Sequence, residues 1–179
     1  MPFWQEVRGN VGAFHAVRTL DNLGDNDDGF QAPLEGEAWD EWVAALSDTI
    51  ASSTFQIMRT YPGHSIPAAE GSEPNLMLLR YRTVAPGRSG DYRTWVENDL
   101  LPAIREGGFQ GFSYIRMHTG GNSNTWISAT QYPNWAAMDE PGFFSHMSRE
   151  ETSALVGKSN AMVVNSEIKM LRYRADLSY

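Results

Sequence analysis

Apolar and polar positions along this chain alternate between a period of two and a period of three to four, and the change of period marks the elements. Asn75 to Val84 carries Leu76-Met77-Leu78-Leu79 and then Arg80-Tyr81-Arg82-Thr83-Val84, a strand ended by Ala85-Pro86-Gly87. After it, Tyr92, Trp95, Val96, Leu100 and Ile104 recur at helical spacing, with Ser89 or Asp91 as candidate cap and Gly107-Gly108 as the stop. Two strands follow, Phe112 to His118 and Thr125 to Thr130. Gly120-Gly121-Asn122-Ser123-Asn124 suits the hairpin between them, because Gly and Asn tolerate positive φ. A second helical region is expected from about Trp135 to Val163, broken near Pro141-Gly142, and a last strand from Glu167 to Tyr173. The order is β-α-β-β-α-β, the split βαβ or ferredoxin-like unit. A sheet of this kind buries one face under its two helices and leaves the other in need of a partner.

The first third repeats the last third. A shift of 113 residues lays Ala13 to Arg18 on Trp126 to Gln131, Gly29-Phe30 on Gly142-Phe143, and Phe55 to Arg59 on Ile168 to Arg172, without a gap. On this reading residues 12–19 are a third strand, about 38–52 a second helix and 54–60 a last strand. Residues 1–8 then supply the tail of a second strand, with Gly9-Asn10 at the hairpin. The expected organisation is a partial ferredoxin-like unit at 1–66, a turn-rich linker at 67–74 and a complete unit at 75–179. The fold class is α+β, with antiparallel sheets facing each other and helices outside. The partial unit lacks its first strand and first helix. Either sequence upstream encodes them or a neighbouring subunit covers the surface they would have covered.

Composition narrows the function classes. At 41% hydrophobic and 12% aromatic the chain is an ordinary globular one. No apolar run reaches the roughly 18–20 residues of a membrane span. Met1 to Glu6 lacks the basic start and apolar core of a signal peptide, so the chain as given reads as soluble, with no compartment assigned. With no cysteine there are no disulfides, thiolate nucleophiles or cysteine-held metals. The net charge is -8, and the eight acids between Asp21 and Glu41, with no Lys or Arg among them, equal that imbalance. An acidic chain without a basic stripe is a poor nucleic-acid binder.

The hairpin run Tyr114-Ile115-Arg116-Met117-His118-Thr119-Gly120-Gly121-Asn122-Ser123-Asn124, the Trp135-Ala136-Ala137-Met138-Asp139 start and Ser166-Glu167-Ile168-Lys169-Met170-Leu171-Arg172-Tyr173-Arg174 carry a family resemblance. The chain resembles the dimeric α/β-barrel superfamily, which includes antibiotic-biosynthesis monooxygenase-like and stress-responsive barrel proteins. More specifically, it resembles bacterial proteins with two such units in tandem. The resemblance covers about 105 residues well and the N-terminal part weakly, and its motifs are structural in kind. It implies two sheets facing each other with helices outside.

Two constellations are candidates for chemistry. Leu79-Arg80-Tyr81-Arg82 and Leu171-Arg172-Tyr173-Arg174 lie on strands that neighbour each other in a ferredoxin-like sheet. Alternation puts Arg80, Arg82, Arg172 and Arg174 on one face and both tyrosines on the other. Such a cationic surface suits an anionic ligand at the sheet–sheet interface, but acids of the protein such as those of Asp21–Glu41 account for it more simply, since paired charges at interfaces are common. The second is a pocket between sheet and helices, lined by Trp95, Asn98, Tyr114, His118, Trp126 and His146. Trp95 and Asn98, three apart, share a helix face, and a histidine near neutral pH can serve as acid or base. The resemblance implies a flat aromatic substrate there, with Trp95, Asn98, His118 and His146 assisting oxygen chemistry without a metal. The same aromatic residues also fit a plain core.

Metals and cofactors have no signature. His15, His64, His118 and His146 form no zinc-type spacing, and a heme held by one of them is left to the resemblance alone, since some barrels of this superfamily bind heme. Asp21 to Gly29 is rich in oxygen ligands but does not follow the calcium-loop order, and a solvated loop accounts for it better than a metal site. No phosphate loop, nucleophile elbow or triad order appears. The sequence therefore leaves a small-molecule-binding, monooxygenase-like barrel, with no cofactor assigned, beside a non-catalytic assembly protein. In either case a homo-oligomer is expected.

Overall fold

A computed structural model describes residues 2–26, 36–72 and 75–178. Its seven strands are β1 (Phe3–Arg8), β2 (Phe14–Ala16), β3 (Ile57–Thr60), β4 (Leu76–Val84), β5 (Phe112–Thr119), β6 (Thr125–Tyr132) and β7 (Val163–Tyr173). They form one curled antiparallel sheet in the order β2-β1-β7-β4-β6-β5-β3. The middle four, β7-β4-β6-β5, follow the last-first-third-second order of a ferredoxin-like unit. β1 pairs with β7, Trp4 opposite Tyr173, and β3 pairs with β5, Arg59 opposite Arg116. The strands of the first part thus extend the complete unit's sheet at both of its edges. Among the described residues β2 and β3 are the two outermost strands.

The fold is α+β, as the order of strands and helices along the chain implies. Two compact units emerge: residues 1–16 with 56–179, which hold the whole sheet, and residues 17–55. The smaller unit contains a 3-10 turn (Leu23–Asn26) and α1 (Glu37–Ser47), whose Glu37 and Asp40 lie in the first turn, where the helix dipole favours acids. Asp25 is occupied locally, its carboxylate accepting from the Asp21 and Asn22 amides and the Asn22 side chain. The rest of the acidic loop, with Asp27, Asp28, Gly29 and Glu35, lies outside the described residues. Among the described residues no cluster of acids and histidines is arranged to hold a metal, and no helix is long and apolar enough to cross a membrane.

In the larger unit the helix after β4 is α2 (Ser89–Trp95), a π turn (Val96–Leu100) and α3 (Leu101–Glu106) in one run. Neither candidate cap acts as one. Arg88 occupies the cap position without a side-chain bond, its guanidinium pairs with Asp91 at 2.6 Å, and Ser89 bonds to Asn124. Packing holds α2 instead, through Tyr92 and Trp95, whose burial is worth about 1.5–3 kcal/mol per large side chain. The expected helical region from Trp135 shrinks to a 3-10 turn (Ala136–Met138) and α4 (Arg149–Asn160). The reason is a capping box: Ser148 accepts from the Glu151 amide, and Glu151 reaches back to the Ser148 amide at 2.8 Å. Helices and sheet meet in a core of Val84, Tyr92, Trp95, Leu101, Ile104, Phe112, Tyr114, Trp126 and Leu155.

Candidate functional site

Strand register decides which side chains face the helices. Arg82 stands opposite Trp126 on β6, Arg80 opposite Ser128, and Tyr114 of β5 also opposite Ser128. Alternation therefore puts Arg80, Arg82, Tyr114 and Trp126 on one face. That face is the helix-covered one, because Arg82 donates from Nη1 to the Tyr92 hydroxyl of α2 at 3.3 Å and its guanidinium lies 6.0 Å from the centre of the Trp95 ring. This corrects the expected placement of Arg80 and Arg82 at a sheet–sheet interface. Their shared face is right, but it is the one that α2 packs against, with Tyr81 on the opposite face under Lys169.

The arginines stand in an aromatic layer. The Tyr92 and Tyr114 hydroxyl oxygens are 2.5 Å apart, so one donates to the other, and both rings flank Trp126 at 5.9 and 5.8 Å. Trp95 donates its indole N–H to the Leu155 carbonyl of α4 at 3.2 Å. Tyr114 is 1% exposed, and burial, with the Tyr92 hydroxyl beside it, pushes its pKa well above the ordinary phenol value against the pull of Arg82. It is a hydroxyl throughout the physiological range. Burial lowers the Arg80 pKa, and the like charge of Arg82 adds to the fall. For Arg82 burial acts the same way, but the Tyr92 and Tyr114 oxygens outweigh it and the net is a rise. Among the described residues neither arginine forms an ion pair with a carboxylate. Two adjacent half-buried guanidiniums met mainly by phenol oxygens form an anion-attracting site with aromatic walls.

The structure divides the remaining expected residues. Arg172 is exposed on β7, and Arg174 is taken up by Asp176 at 2.6 Å and by Gln5 at 2.8 Å. Neither reaches Tyr92 as Arg82 does. Trp95, Tyr114 and Trp126 come together with Tyr92. Asn98 is exposed on the π turn, His118 is exposed near the end of β5, and His146 is exposed with its Nε2 3.9 Å from Glu106. These three do not join the aromatic layer. Beside it, an open groove of about 440 Å³ runs between α2 and α4, with Trp95 and Met162 at its base and Lys158 paired to Asp99 at its rim.

Sequence reasoning missed His64, Tyr61 and Glu97. His64 lies in the 3-10 turn Pro62–His64 just after β3, is 6% exposed, and holds Glu97 of the π turn at 2.8 Å through Nε2. Arg93 donates to the same Glu97 oxygen at 2.8 Å, and Arg93 first, then His64, hold that carboxyl below its usual range. Tyr61 stacks on both His64 and Trp126, joining this pair to the aromatic layer. The partners are 33 residues apart and one sits in a turn-rich stretch, so no spacing signals them.

No family model and no curated protein matches the chain. Among solved structures, a "putative monooxygenase" from Lactobacillus acidophilus NCFM is similar at a TM-score of 0.50 and 16% identity, covering 85% of this chain and 66% of its own. Another protein of the same description, from Fusobacterium nucleatum, is similar at 0.50 and 11% identity, covering 77% of this chain and 60% of its own. The chain thus spans just under two thirds of the length of these relatives. At such identities the likeness is one of fold.

Proposed function

We propose that this protein binds a flat aromatic small molecule carrying an anionic or ionisable oxygen, in the layer between the sheet and α2. The observation that carries the reading is the pair of half-buried guanidiniums, Arg80 and Arg82, without a carboxylate among the described residues and walled by Tyr92, Trp95, Tyr114 and Trp126. An aromatic ring matches the walls, and an oxyanion supplies the charge the arginines lack. The names of the two fold relatives suggest a monooxygenase-like reaction of that ligand once it is bound. Titrating the protein with 2-naphthoate and with naphthalene, followed by tryptophan fluorescence, tests the reading. A charge-assisted bond is worth about 1.5–3 kcal/mol, so naphthoate should bind roughly 10–100-fold tighter, and Arg82→Met should remove the margin. Equal affinity for the two probes sinks it. Oxygen uptake with hydroxylated aromatics then tests turnover.

A second reading, a homo-oligomer built through the sheet, draws on a different observation. Among the described residues β2 and β3 each pair on one side only, and Val11 and Phe14 beside the β2 edge are 64% and 49% exposed. Open edges and exposed apolar groups favour another chain. Light scattering across a dilution series tests it, and a monomer at all concentrations refutes it.

A further inference from the structure

Two buried polar side-chain atoms, among the described residues, have no hydrogen-bond partner: Nδ1 of His64 and Nε1 of Trp126. Both belong to rings that stack on Tyr61, His64 at 5.2 Å and 22°, Trp126 at 5.8 Å and 26°. An unmet buried polar atom costs about 1–3 kcal/mol, so two around one ring call for an explanation. The other ring nitrogen of His64 is fixed. A carboxylate only accepts, so at 2.8 Å Nε2–H donates to the Glu97 oxygen, and in the neutral ring Nδ1 is left as a bare lone pair. Glu97 is itself held by Arg93. The turn carrying His64 is held too, by Arg105 donating to the Gly63 carbonyl at 3.3 Å and by the Ile66–Phe112 bridge.

We propose that His64 is the proton acceptor of the aromatic site, with Glu97 as the residue that positions it. This rests on the reading that the layer binds a hydroxylated aromatic ligand. The step is a single proton transfer: the ligand O–H bond breaks, a Nδ1–H bond forms, and the electron pair stays on the ligand oxygen as an aryl oxide. Glu97 stabilises the resulting imidazolium. An imidazole oriented through one nitrogen by a carboxylate, with the other buried and unpaired, has the arrangement of a general base. Trp126 Nε1–H, the other orphan, is a donor, so the ligand also offers an acceptor.

The test uses 1-naphthol, a phenol that like tyrosine is un-ionised in water at about pH 7. Imidazole ¹⁵N shifts of the free protein should report His64 with Nε2 protonated and Nδ1 bare. A proton found on Nδ1 in the free protein overturns the proposal outright. On saturation with naphthol, Nδ1 should gain its proton and the absorbance of naphtholate should appear. In His64→Gln, whose amide can still reach Glu97, the same probe should bind without that band. Binding by fluorescence with no naphtholate in the wild type overturns the role of His64 and leaves the binding reading standing. Absence of binding overturns both.

Discussion

The Glu6 carboxylate lies 2.7 Å from the Lys169 ammonium, and Glu6 is 1% exposed. Its other contacts are His15 at 3.2 Å and the Asn10 amide at 2.7 Å, so one side chain ties the β1–β2 hairpin to β7 of the complete unit. Even the glycine at the turn fits this arrangement. Gly9 has φ of +120°, and a Cβ there would stand 2.9 Å from the carboxylate. Burial alone pushes the Glu6 carboxyl up, but Lys169, the Asn10 amide and His15 outweigh it and the pKa falls below the ordinary 4.5. Burial likewise pulls the Lys169 ammonium down, yet Glu6 carries it above 10.5.

The pair therefore stabilises the fold across the middle of the pH range. A carboxyl whose folded pKa is depressed contributes fully above its unfolded value and loses that contribution as the pH falls through the folded one. The lysine, raised, contributes fully below its unfolded value and loses it as the pH rises through the folded one. Glu6→Gln should cost about 3 kcal/mol at neutral pH, the low end for breaking a buried pair because Lys169 is 25% exposed. Denaturant midpoints from acid to neutral pH check this. A variant as stable as the wild type at neutral pH, or a loss that does not shrink in acid, contradicts it.

Tyr114 supplies a separate alkaline dependence. Its pKa is raised by burial, so its contribution is complete below the ordinary 10.0 and is lost as the pH rises through the folded value. In the native protein it should remain un-ionised when exposed tyrosines titrate, which ultraviolet difference spectra resolve against Tyr114→Phe. That variant also loses the bond to Tyr92, at about 1 kcal/mol. An early tyrosinate signal that disappears in Tyr114→Phe would show the site to be wetter than this packing allows.

The two buried tryptophans of the layer should respond differently to the same substitution. Trp95 has its indole N–H bonded to Leu155, whereas that of Trp126 is unpaired. Trp95→Phe breaks the bond to the Leu155 carbonyl of α4. Trp126→Phe removes a donor that had no partner, so its cost is that of lost volume alone. The first should exceed the second by about 1 kcal/mol in thermal or chemical unfolding. The order reverses for ligand affinity if the Trp126 donor meets the ligand.

These contrasts show what the sequence makes legible. Period and turn residues place the four strands β4, β5, β6 and β7. Those signals are local, written every second or every third to fourth position. The same alternation puts Arg80 and Arg82 on one face, but which face meets α2 is set by packing of Tyr92 and Trp95, which no period encodes. The segment after Trp135 has helical composition, yet the Ser148–Glu151 box starts the helix later, and its S-x-x-E signature was visible in the chain. His64 and Glu97 left no trace, because a contact between a turn and a helix 33 residues on is created by the fold.

Adjacent glycines at the end of α3 separate collision from backbone strain. Gly107 has φ of -69°, which alanine adopts freely, but a Cβ there would sit 2.4 Å from the Phe143 carbonyl oxygen and 3.0 Å from His146. A backbone oxygen cannot move aside as a side-chain tip can. Gly108 has φ of +69° with open space around it, so alanine there meets only the left-handed penalty of about 1–2 kcal/mol. Phe143 packs edge-on to Phe109 at 4.9 Å and belongs to the rim of the main core, so displacing its backbone loosens the approach of residues 143–147 to α3. Gly107→Ala should thus cost about 3 kcal/mol, the upper end for overpacking, and more than Gly108→Ala. It should also raise amide exchange at Ser145 and Met147, whose turn bonds lie in that segment, while Gly108→Ala leaves them protected. Equal stability of the two variants would show that the 143–147 segment yields without cost and is not part of the packed layer.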